Sequence, residues 1–136
     1  MTSGHVLVVE DDDTIRRLLM EYLEQKALLT VDGARDGIEA LHLITHQRYG
    51  VVVLDILMPK MSGIDFLDSL TAMIEDPSIQ TLAQPPAVIV VTSTAAGDVP
   101  TDAIEGRSRL VRVVMRKPVD VNELGQTVEK FLERGG

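Results

Sequence analysis

Tyr49 to Phe66, YGVVVLDILMPKMSGIDF, is the stretch whose reading decides the fold. Val51, Val52, Val53 and Leu54 form an apolar block without alternation, the pattern of a strand covered on both faces in a parallel sheet. The block ends on a carboxylate, Asp55. Strand carboxyl ends border the ligand crevice of open α/β sheets, so an acid there points to chemistry, although an ordinary helix N-cap is the bland alternative. Pro59 and Ser62-Gly63 supply turn residues that lead into a helix over Asp65 to Glu75.

Working outward, His5 to Val9 is a second continuous apolar run, and it ends in four consecutive acids, Glu10, Asp11, Asp12 and Asp13. The helix expected over Thr14 to Gln25 carries Ile15, Leu18, Leu19, Tyr22 and Leu23 at helical spacing, and acids ahead of it suit its dipole. Asp12 or Asp13 can cap that helix. One oxygen suffices for a cap, and four adjacent carboxylates repel, so capping does not account for the whole cluster. Leu28 to Val31 reads as a short strand, Asp32-Gly33 as a turn, and Gly37 to Gln47 as a helix with Ile38, Leu41 and Leu43 or Ile44 inward. Glu75 to Pro86 has three prolines and no steady period, which predicts a loop or a frayed extension. Val88 to Val91 is a buried strand ending at Thr92, and a short fourth helix is expected within Gly97 to Arg109. Leu110 to Met115 reads as an edge strand, because Arg112 interrupts it. Lys117-Pro118 closes that strand ahead of a last helix over Val119 to Arg134.

With 136 residues, 45% of them hydrophobic, the chain fits one domain spanning 1–136. It has no Cys, hence neither disulfides nor thiolate metal sites. No apolar run approaches the ~18 residues of a membrane span. These features lead us to expect a soluble, cytoplasmic chain without membrane insertion. A net charge of −8 argues against direct binding of nucleic acid, which needs a clustered basic face.

Five strands alternating with five helices predict an α/β fold, a doubly wound parallel sheet with helices on both faces. In the order 2-1-3-4-5 the first and third strands are neighbours, which brings Glu10 and Asp11 beside Asp55. Carboxylates ~5 Å apart repel by about 3 kcal/mol per pair at an effective dielectric constant of ~20. A hard divalent cation compensates best, and an all-oxygen set suits Mg2+. Lys117 supplies an ammonium at the same edge and Thr92 a hydroxyl. Together these groups form an apparatus for handling a phosphoryl group, with the Asp55 carboxylate as nucleophile.

VLVVEDD (6 to 12), DILMPKMSG (55 to 63), VIVVTS (88 to 93) and RKP (116 to 118) resemble the receiver domain of two-component response regulators. The resemblance spans nearly the whole chain. It implies a flavodoxin-like or CheY-like fold and a phosphorelay switch, not a turnover enzyme, in which Asp55 takes a phosphoryl group from a sensor kinase's phosphohistidine or from a phosphotransfer protein. It further implies that Asp11 binds Mg2+ directly, Glu10 does so through water or a side contact, and the backbone carbonyl of Leu57 adds a ligand. Thr92 and Lys117 would contact phosphoryl oxygens. Receivers usually carry an aromatic residue three positions before the Lys, and here that position is Val114. The expected response is therefore a shift of the 97–115 region in which Val114 changes its packing and an unidentified downstream protein or output domain reads the change. With Gly-Gly at its end, the chain is either a stand-alone receiver or a piece of a longer regulator.

A metal-dependent phosphohydrolase of haloacid dehalogenase type also uses an Asp after a parallel strand, but it needs a second acid two residues on, where this chain has Leu57. His42 and His46, at i and i+4, read as solvated side chains in the absence of a third ligand. Arg107, Arg109, Arg112 and Arg116 read as counter-charge for an acidic domain, with a docking surface for an acidic partner as the alternative.

Overall fold

The computed structural model describes residues 3–25, 28–56, 61–92 and 109–135. Five strands, β1 (Ser3–Val9), β2 (Leu28–Ala34), β3 (Val51–Asp55), β4 (Ala87–Thr92) and β5 (Val111–Arg116), form one parallel sheet in the order β2-β1-β3-β4-β5. Among the described residues there are four α-helices, α1 (Asp13–Glu24), α2 (Gly37–His46), α3 (Gly63–Ile74) and α4 (Val121–Gly135). The helix expected within 97–109 falls almost wholly outside the described residues.

The unbroken apolar runs find their explanation in two cores. Leu7, Val9, Val52, Leu54, Val88 and Val90 point to one side of the sheet, where α2 contributes Ala40 and Ile44 and α3 contributes Phe66, Leu67 and Leu70. Val6, Val8, Val51, Val53, Ile89 and Val91 point to the other side and meet Leu19 and Leu23 of α1 and Leu124, Val128 and Leu132 of α4. Period-2 alternation of direction therefore coexists with no alternation of polarity. β5 is an edge strand with Arg112 exposed, as its interrupted pattern predicts.

Two expectations need correction, and a third gains detail. Asp32 and Gly33 continue β2, pairing with Leu7 and Val8, because neighbouring β1 extends the ladder past the apolar stretch. Ile38 is exposed, and the inward face of α2 is formed by Ala40 and Ile44, with Leu41 and Leu43 partly covered. The 75–86 connection contains a 3-10 turn, Gln80–Leu82, anchored by buried Leu82 and by the Thr81 hydroxyl, which donates to the Ile44 carbonyl at 2.6 Å.

Backbone bonds carry the ladders one residue past the strand ends. Glu10 N–H donates to the Ala34 carbonyl at 3.0 Å, Ile56 N–H to Val91 at 3.1 Å and Lys117 N–H to Thr92 at 2.8 Å. The residues that follow β1, β3 and β5 are thus fixed to the sheet before the chain turns away.

Candidate functional site

Those fixed ends hold the polar groups of the C-terminal edge. Glu10 is 3% exposed, Asp55 5% and Thr92 1%, which makes them the buried polar residues among those described. Adjacent strands bring them together: β1 and β3 pair through Val9 and Leu54, β3 and β4 through Asp55 and Val91. Asp11 is exposed just beyond Glu10. One carboxylate oxygen from each of Glu10, Asp11 and Asp55 lies within 4.8 Å of the others.

Lys117 enters from the end of β5, with its peptide to Pro118 cis. Its Nζ stands 3.3 Å from Glu10 Oε1 and 3.4 Å from Asp55 Oδ2, a single ammonium held between two buried carboxylates. Burial pushes the Glu10 carboxyl upward, Asp55 adds to the shift, and the nearby ammonium offsets part of it. Asp11 is raised as well, by desolvation first and then by Glu10. For Lys117 desolvation acts downward, but the charges of Asp55 and Glu10 together outweigh it and the net shift is upward. The site holds more negative charge than one ammonium neutralises.

The donor chemistry of this cluster fits a small, hard divalent cation. All three side chains offer oxygen, one of them from solvent, which leaves room for the water that Mg2+ keeps. Leu57, the expected carbonyl ligand, lies outside the described residues, as does Ser93.

The loop between β1 and α1 is built by its own acids. Asp12 is the N-cap of α1, with Oδ1 accepting from Ile15 N–H at 2.9 Å. Asp12 N–H in turn donates to Glu10 Oε2 at 3.3 Å, and Asp13 pairs with Arg16. Two of the four acids thus face the strand ends with Asp55, and two organise the helix. Ser62 caps α3 by accepting from Asp65 N–H at 3.1 Å.

Sequence reasoning overlooked an apolar cleft of about 280 Å³ beside these groups, lined by Ile15, Leu18, Pro118, Val119 and Val121 as well as Glu10, Asp55 and Lys117. Leu18 is 60% exposed, and Ile15 and Val121 are also open. The signal was present: Leu19 and Leu23 share one row of α1, and Ile15, Leu18 and Tyr22 form an apolar row that the sheet cannot also cover. One residue on from the cleft-lining Val121, Asn122 Oδ1 accepts from the Tyr22 hydroxyl at 2.8 Å, linking α1 to α4.

His42 and His46 are exposed, with His46 Nδ1 2.9 Å from the His42 carbonyl. Among the described residues the three-carboxylate group is the one acidic or histidine cluster of metal-binding size. No described helix is long and apolar enough to cross a membrane.

Residues 6–129 match the response regulator receiver domain family. The chain belongs to that family. The receiver domain is 34% identical over 115 residues to protein-glutamate methylesterase/protein-glutamine glutaminase 4 of Myxococcus xanthus, covering 84% of this chain and 30% of that protein. It is 30% identical over 132 residues to transcriptional regulatory protein SrrA of Staphylococcus aureus, covering 97% of this chain and 49% of SrrA. The chain thus spans less than half the length of these curated relatives. Among solved structures, the receiver domain of the Francisella response regulator 1452 superposes with a TM-score of 0.78 at 30% identity, over 98% of this chain and all of that one. As a receiver domain the chain is a two-component signalling module, in a family that interacts with histidine kinases and output domains.

Proposed function

We propose that Asp55 is the phosphoacceptor of this receiver and that Glu10, Asp11, Asp55 and the backbone carbonyl of Leu57 hold Mg2+ for the transfer. The observation carrying this reading is the meeting of three carboxylates and the Lys117 ammonium at one sheet edge, each group delivered by the end of a strand. When bound, Mg2+ would neutralise charge on the phosphoryl oxygens and the carboxylates. An Asp55 carboxylate oxygen attacks phosphorus of a phosphohistidine, the new P–O bond forms as the P–N bond breaks, and the departing imidazole nitrogen takes up a proton. Formation of the acyl phosphate replaces the Asp55 carboxylate charge that Lys117 faces with charge on the phosphoryl oxygens, so the ammonium would hold one of these oxygens while the Thr92 hydroxyl donates to another.

The donor is a sensor histidine kinase or phosphotransfer protein, and the Ile15–Leu18–Val121 cleft gives its apolar helix face a seat next to Asp55. The phosphoryl group brings about −1.5 to −2 charges in place of the single carboxylate charge of Asp55, and the response passes from Thr92 into the 97–115 region, which an output partner reads. Val114, partly buried against the core and paired with Val90, repacks instead of turning a ring.

Incubation with acetyl phosphate and Mg2+ followed by intact mass measurement tests the acceptor. One phosphoryl adduct is expected on the native chain and none on Asp55→Asn; an adduct on both would defeat the assignment. Amide spectra with and without beryllofluoride test the response, which predicts shifts across 109–115.

A further inference from the structure

We infer that Arg16 is a positioning residue for the metal-binding acids, acting through the backbone of Glu10. This inference rests on the metal reading above and deepens it. Although α1 is a surface helix, the Arg16 side chain is only 16% exposed. Its Nη1 donates to the Glu10 carbonyl at 2.9 Å, and its Nη2 pairs with Asp13 Oδ1 at 2.5 Å. The guanidinium fork therefore spans the β1–α1 loop from the last strand-bonded residue to the first residue of the helix, with Asp11 and Asp12 between its arms.

The stem has a prepared path. A Cβ on Gly33 of β2 would lie 3.1 Å from Arg16 Cδ and 2.6 Å from Met20 Sδ, so the missing side chain makes the groove in which Arg16 runs. Glu10 is held from both sides: its N–H donates to Ala34 in β2, and its carbonyl accepts from Arg16. The peptide groups on either side of the Glu10 Cα are thus each held by a hydrogen bond, which restrains its φ and ψ, and a change in either angle would carry the carboxylates of Glu10 and Asp11 out of register with Asp55.

Charge and position make opposite predictions for loss of Arg16. If the guanidinium acts only as a nearby positive charge, Arg16→Gln removes a repulsion and strengthens Mg2+ binding. If it positions the acids, Arg16→Gln weakens binding by about 10-fold, the low end of the range for groups that orient metal ligands. Arg16→Lys, which keeps the stem and charge but not the fork, is expected to lose several-fold too.

The test is Mg2+ titration of the full chain by calorimetry and by amide and carbonyl NMR shifts, with thermal melts confirming that each variant is folded. Weaker binding in both variants, with a shifted Glu10 carbonyl resonance before metal is added, supports the inference. Native-like or tighter binding in Arg16→Gln overturns it, as does native-like binding in Arg16→Lys should the Gln variant fail to fold. A native chain with no saturable Mg2+ response at residues 10, 11 and 55 would overturn the metal reading and this inference together.

Discussion

Glu10 shows how much strain one side chain can bring to a prepared site. Because burial raises its folded pKa, the sign is that of a group whose contribution to stability is present at low pH and lost as pH rises through the raised value. Without metal, Glu10→Gln is therefore expected to be more stable than the native chain at neutral pH, with the difference shrinking as pH falls through the carboxylate range. Paired urea melts in EDTA at several pH values measure this, and a constant difference would contradict it. The residues to which the proposed chemistry is assigned were legible because each terminates an apolar run: Asp55 after Val51 to Leu54, Thr92 after Val88 to Val91, Glu10 after Val6 to Val9. Arg16 was not, since an arginine on a helix reads as solvated and its carbonyl partner leaves no trace in side-chain pattern.

At the level of elements, close approach of α3 to the end of β3 sets the wall of the site. Gly63 N–H donates to the Ile56 carbonyl at 2.9 Å, and a Cβ there would lie 2.7 Å from Ile56 Cα and 3.2 Å from the Asp55 carbonyl oxygen. Those neighbours are backbone and cannot turn aside. Gly63→Ala is expected to destabilise the fold by about 2 kcal/mol and to slow phosphorylation by acetyl phosphate, as read by denaturant melts and mass kinetics. Helix α1 gives the complementary case. Leu18→Glu is expected to leave acetyl phosphate labelling unchanged while slowing transfer from a phosphohistidine protein about 10-fold, since the first donor needs no apolar seat. Strand positions followed from hydrophobic runs, but the length of β2 did not, because neighbouring β1, not local turn propensity, decides how far Asp32 and Gly33 stay paired. The outward row of α1 did not stand out for a related reason: an apolar residue signals burial without naming what buries it.

For the whole molecule, Mg2+ that binds only the folded chain should stabilise it by mass action, about 1.4 kcal/mol at ten times Kd. A rise in Tm of roughly 5 °C is expected on that scale, and it should vanish in Asp11→Asn. The strand order and the two-sided core could be read in advance because alternating strand and helix signals, together with right-handed crossovers, leave few topologies. Without Trp and with only Tyr22 and Tyr49, the chain also carries its own optical reporter. Tyr49 is buried and donates to Asp32 at 2.7 Å, so its ultraviolet signal should stay silent until global unfolding. Tyr22, bridging α1 and α4 beside the cleft, should change emission when a tryptophan-free donor settles there, which would make unlabelled native protein its own binding assay.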